Sequence, residues 1–164
     1  MKRRWLRQLL PWAALLAAYL GLQLFAGYRL ASGTPPPLAG TSLTGARLDL
    51  AQLHGRPGLI YFWASWCGIF GAMQRNISGI TRDYPVITVA MQSGGADEVA
   101  RYQGEQDFHP PTLLDEQGNI AHRYGVRGVP VIFVLDPKGD IRFASTGYQT
   151  EWGTRLRLWL AERL

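Results

Sequence analysis

An α/β fold built as a sandwich around a mixed central β-sheet is what this sequence predicts, and three observations predict it. Three short apolar runs, Leu59–Ala64, Val86–Met91 and Val129–Asp136, suit buried strands. Helical stretches stand between them. The last run continues through the turn Pro137–Asp140 into Ile141–Thr146, a hairpin, and the chain then closes on one more helix. Strands alternating with helices, followed by a hairpin and a helix, place helices against the faces of a sheet.

From the N-terminus, Gln8 to Tyr28 runs uncharged for 21 residues. A helix of that length spans roughly 30 Å, the hydrocarbon thickness of a bilayer. Trp5, Trp12 and Tyr28 lie near its ends, and Lys2, Arg3, Arg4 and Arg7 ahead of it favour a cytoplasmic N-terminus. Residues 1–30 are therefore expected to form one transmembrane helix. A cleaved signal peptide is the alternative, although the Leu24-Phe25-Ala26 and Leu30-Ala31-Ser32 neighbourhoods make poor cleavage sites. Both readings put the rest of the chain beyond the membrane. Residues 31–45, rich in Pro, Gly, Ser and Thr, read as a flexible linker, and 46–164 as the folded domain.

Within the domain, Arg47–Leu50 is expected as a short strand and 54–58 as a turn. Phe70–Arg82 carries Phe70, Met73, Ile77 and Ile80 at helical spacing. Asp97–Gln106 is polar and helical, 111–115 is extended, and 116–126 holds a turn and a short helix. The last helix, Glu151–Leu164, is amphipathic, with Trp152, Leu156, Trp159 and Leu160 on one side.

Length and charge narrow the function. A chain of 164 residues is expected to hold one domain. Of 17 basic residues, Lys2, Arg3, Arg4, Arg7 and Arg29 flank the apolar segment, and the other twelve match the 12 acidic ones. The domain is thus near neutral and lacks the long-range field that attracts phosphates, which argues against nucleic-acid binding. Cys67 is the only cysteine, so no intramolecular disulfide and no Cys-rich metal cage can form. His54, His109 and His122 are scattered without ligand spacing, and neither a metal nor a cofactor is expected.

The stretch "LIYFWASWCG", followed some sixty residues later by "YGVRGVPVIFVLDPKGDI", resembles the thioredoxin-like fold. Within that fold it is most similar to the membrane-anchored disulfide oxidoreductases of the bacterial periplasm, the cytochrome c maturation reductases and the suppressor-of-copper-sensitivity type. The resemblance covers residue 40 onward. It implies a catalytic Cys67, a cis Val129–Pro130 peptide beside it, and a substrate groove framed by Trp66, Val129 and Pro130. It implies protein thiols or disulfides as partners, with a membrane electron donor or an external small thiol to complete the exchange. It also implies a single-pass protein of the inner membrane with its domain in the periplasm.

Cys67 is expected where a strand hands over to a helix, a place whose partial positive charge and free N–H groups favour thiolate. The family's resolving cysteine belongs three residues later, where Phe70 stands. A benzyl group cannot attack a disulfide, so an adduct on Cys67 has to be resolved by an external thiol. Two carboxylates of the family are missing as well: Tyr61 takes the strand position and Met73 the helix position. Peroxiredoxin-type chemistry needs a Thr or Ser three positions before the cysteine, and Ala64 is there; "CGIF" is only superficially like a monothiol glutaredoxin. The leading reading is a disulfide-oxidoreductase relative that forms mixed disulfides through one cysteine. Its rival is a redox-silent module that binds extended or cysteine-containing chains.

Overall fold

The computed structural model describes residues 30–68 and 70–164, apart from the side chain of Phe70. The expected transmembrane helix lies outside the described residues, among which no helix is long and apolar enough to cross a membrane.

Among the described residues seven strands and four helices follow one another: β1 (Ala39–Thr41), β2 (Arg47–Asp49), a short 3-10 turn (Leu50–Leu53), β3 (Gly58–Trp63), α1 (Phe70–Thr81), β4 (Val86–Met91), α2 (Ala96–Glu105), β5 (Thr112–Asp115), α3 (Asn119–Arg123), β6 (Val131–Leu135), β7 (Ile141–Thr146) and α4 (Glu151–Ala161). Five strands make one sheet in the order β5-β4-β3-β6-β7. β4 and β5 run parallel to β3, whereas β6 runs antiparallel to β3 and β7 to β6. β1 and β2 form a separate antiparallel hairpin.

β3, β4 and β6 are buried along their whole lengths, as uninterrupted apolar runs require. Side chains alternate between two cores because successive strand residues point to opposite faces. On one face Ile60, Phe62, Val89 and Phe133 pack with Tyr124 and with Leu38, Leu48 and Leu53. On the other, Tyr61, Trp63, Ala90 and Val134 pack with Met73, Ile77 and Ile80 of α1 and with Leu158 and Ala161 of α4. The order of strands brings the end of β3 and the start of β6 side by side, Phe62 opposite Val131. That juxtaposition carries the site.

One expectation is corrected. Residues 31–45 are held on the domain rather than hanging from it. Ala31 N–H donates to the Tyr124 carbonyl at 3.0 Å, Gly33 bridges Ile141, the Tyr124 hydroxyl donates to the Pro36 carbonyl at 2.8 Å, and residues 39–41 are β1. Backbone hydrogen bonds hold this segment, and its Pro- and Gly-rich composition does not register them. In α4 the expected side of Trp152, Leu156, Trp159 and Leu160 is the outer one, and the inward residues are Thr154, Leu158 and Ala161. Helical periodicity gives the angle between stripes but not which stripe meets the sheet, and here the smaller residues fit closely against α1 and the strands.

The β6–β7 turn is held by one buried carboxylate. Asp136 accepts from the Lys138 and Asp140 N–H groups at 2.9 and 3.0 Å and from the Arg142 guanidinium at 2.7 Å. Burial pushes its pKa up, but the Arg142 hydrogen bond, the two backbone donors and the Arg142 charge outweigh that and hold it below the ordinary carboxylate value. A depressed folded-state pKa contributes stability above the unfolded value, about 3.9, that is lost as pH falls through the folded value. Asp136→Ala is expected to cost about 1–3 kcal/mol at neutral pH. The difference from the native protein should shrink in urea titrations run progressively below pH 4.

Candidate functional site

Cys67 sits in the connection between β3 and α1, its N–H bonded to the Ala64 carbonyl at 3.1 Å. The connection is short because β3 ends at Trp63 and α1 opens at Phe70, so the sulfur is delivered to the rim where a strand gives way to a helix. The side chain is half-buried against the α1–α4 side of the core. Its thiol donates to the carbonyl oxygen of Val129 at 3.5 Å.

Val129–Pro130 is a cis peptide. Pro130 is buried and Val129 half-buried, and the Pro130 carbonyl accepts from Gly147 N–H at 2.9 Å, which ties this loop to the end of β7. Trp66 lies 59% exposed beside the cysteine, its indole N–H fixed on the Gln92 carbonyl at 3.0 Å. Cys67, Trp66, Val129 and Pro130 therefore come together at one end of the sheet. Phe70 is the first residue of α1, three positions past the cysteine. Among the described residues, a side chain at Gly68 or Gly71 would meet nothing beyond its chain neighbours within 4 Å.

The loop after β4 also belongs to the rim, and the sequence reading did not include it. Ser93 accepts from Ser65 N–H at 3.0 Å and donates to the Met91 carbonyl, and Gln92 takes a left-handed backbone with φ 47. The Gly94-Gly95 pair, two residues past an apolar strand, was the available signal. Arg123 and Arg127, on the approach to Pro130, are exposed. His109 pairs at 3.3 Å with Asp107 on the surface. Among the described residues no group of three His, Cys, Asp or Glu is placed to hold a metal.

Beneath the cysteine, the two non-acidic replacements behave differently. Met73 is fully buried, and its sulfur accepts from Gln149 N–H at 3.1 Å, so it fastens the β7–α4 loop to α1. Tyr61 is fully buried, and its hydroxyl has no hydrogen-bond partner among the described residues. Burial first, then the negative charge available to Cys67, then Tyr102, push the Tyr61 pKa far above the ordinary phenol value. Burial likewise raises Tyr124, against a small opposing effect of Arg123.

Two results are expected. Tyr61→Phe removes a desolvated donor that gains nothing, so the variant should equal the native protein or exceed it by up to about 1–3 kcal/mol in chemical denaturation. A loss of comparable size would contradict this. Raised folded-state pKa values at Tyr61 and Tyr124 also make the fold most stable below the unfolded phenol value, about 10. Stability should fall as pH rises past it, less steeply in Tyr61→Phe.

Comparison with known proteins agrees with the architecture. Residues 34–144 match the AhpC/TSA family. A thioredoxin-like protein of Haemophilus influenzae is 34% identical over 122 residues, 73% of this chain and 72% of that protein. The thiol-disulfide oxidoreductase ResA of Bacillus cereus is 25% identical over 147 residues, 84% of this chain and 85% of ResA. Among solved structures, the exposed lipoprotein thioredoxin Etrx1 of Streptococcus pneumoniae superposes with a TM-score of 0.69 at 22% identity, over 76% of this chain and 99% of Etrx1, a likeness of fold alone. A half-buried cysteine at a strand–helix junction, a cis proline facing it across two paired strands, and these relatives lead to one assignment: the chain belongs to the AhpC/TSA family, as a thioredoxin-like member with thiol-disulfide oxidoreductase homologues.

Proposed function

We propose that this protein captures protein disulfides on the periplasmic side of the bacterial inner membrane, through Cys67 alone, without resolving the product itself. The observation that carries the reading is the half-buried Cys67 sulfur, 3.5 Å from the Val129 carbonyl beside cis Pro130, in a chain with no second cysteine.

The chemistry needs one step. The Cys67 thiolate attacks one sulfur of a substrate disulfide, the bond between the substrate sulfurs breaks, and the departing sulfur leaves as a thiolate that takes a proton from water. A mixed disulfide on Cys67 remains. Trp66 supplies a fixed apolar wall, and the backbone at Val129 offers an edge along which an extended chain can lie. Release needs a second thiol from outside, because residue 70 has none. The uncharged Gln8–Tyr28 segment supports membrane attachment, and the basic residues before it support a periplasmic domain. Peroxide reduction fits less well: Ala64, buried three positions before the cysteine, offers no hydroxyl to a peroxide.

The test is trapping in intact cells. After rapid acid quenching and alkylation, non-reducing gels should show the protein in higher-mass species that collapse on reduction. Only free protein under these conditions would reject the proposal.

A further inference from the structure

We propose that the outer face of α4 is a self-association surface, on which a second copy of this chain docks about a two-fold axis. Trp152 is 84% exposed, Leu156 57% and Leu164 65%, and Leu160 completes the row. Trp159 flanks it at 47%, with the Arg163 guanidinium 3.8 Å over its ring. Among the described residues nothing covers this side, because α4 docks through Thr154, Leu158 and Ala161.

Three features choose a second copy over other occupants. The first is the spacing. Trp152, Leu156 and Leu160 stand four residues apart in one row along α4, and Leu164 lies three residues past its end. In an antiparallel pair centred between Leu156 and Leu160, Leu156 meets Leu160 of the second copy and Leu160 meets its Leu156, the self-complementarity a two-fold interface demands. Two such rows lie alongside each other when helix axes cross at about 50°, a common packing class. The second is size. Two tryptophans and three leucines make a patch on the order of 600 Å², large for a monomer and at the lower end of what each side of a stable dimer buries. The third is charge. The segment carries Glu151 and Glu162 against Arg155, Arg157 and Arg163, and Arg155 is already paired with Asp83 and Glu151 at 2.8 Å. No strong field opposes pairing of like copies.

A bilayer is the competing occupant, and the chain path disfavours it. Leu30 and Ala31, the first described residues, pack on the sheet face opposite α4. The described chain therefore begins on the side away from α4.

The full-length chain in native membranes supplies the test. In a Cys67→Ser background, two differently tagged chains, one carrying Leu156→Cys and the other Leu160→Cys, are co-expressed and oxidised with copper phenanthroline. A disulfide-linked pair carrying both tags is expected, and adding the surface change Trp152→Glu to both should reduce it at least tenfold. Arg101→Cys, on the exposed side of α2, should give no pair. Absence of the mixed-tag species, or its persistence with Trp152→Glu, overturns the proposal. So does labelling of position 156 by a bilayer-confined photoreactive probe without cross-linking, which would assign the face to lipid.

Discussion

Phe70→Cys is expected to turn one-way capture into turnover, raising disulfide reduction at least about a hundredfold over the native chain with the same external reductant. Residue 70 opens α1, three positions after Cys67 in the chain. The rest of the site already stands: the Cys67 sulfur at the Val129 carbonyl, the cis Val129–Pro130 peptide and the pinned Trp66 indole. A thiol there attacks the Cys67 sulfur of the adduct, expels the substrate sulfur as thiolate and leaves an internal disulfide for the reductant. Because the attack is intramolecular, even a small fraction of the usual effective molarity exceeds millimolar external thiol. Insulin reduction followed by turbidity, native against variant, measures it. A folded Phe70→Cys protein with native activity would mean that the missing partner thiol is not what limits this site.

The second large effect is total loss. Cys67→Ser removes the only nucleophilic sulfur in the chain, so every covalent adduct should vanish, in cells and with purified peptide disulfides. Stability should change by less than about 1 kcal/mol, since the side chain is only half-buried and a hydroxyl can keep the bond to Val129. This variant also separates the two functional readings. A capture protein loses its clients with the sulfur. A redox-silent binding module keeps them, and undiminished recovery of non-covalent clients by Cys67→Ser would favour the module.

How far the sequence reached depends on what kind of force holds each part. β3, β4 and β6 were legible because burial on both faces demands unbroken apolar runs, and those runs stand out in the chain. Cys67 and Pro130 were legible because each lies next to such a run, in an order that few folds share. The docking of residues 30–38 was not, since it rests on main-chain bonds to Tyr124 and Ile141 together with Leu38, a single fully buried side chain in a Pro- and Gly-rich stretch. The orientation of α4 was hidden for a different reason. Its most apolar stripe is the outer one, so a rule that buries the larger side chains selects the wrong face. The tie from Trp66 to Gln92 needed the β4 loop in place, because its acceptor is a backbone carbonyl. In each case the unread part was a backbone contact or a choice between two faces of one element.

The central claim is that Cys67 captures and does not resolve, and the stoichiometry of a single reaction tests it most directly. Purified full-length protein is mixed with an excess of a peptide disulfide free of small thiols, and released thiol and the mass of the protein are followed together. One equivalent of thiol should appear, the protein should gain one peptide half on Cys67, and that adduct should persist until glutathione is added, then decay in proportion to its concentration. Continued thiol release without glutathione, or an adduct that decays at a rate indifferent to it, would contradict the account.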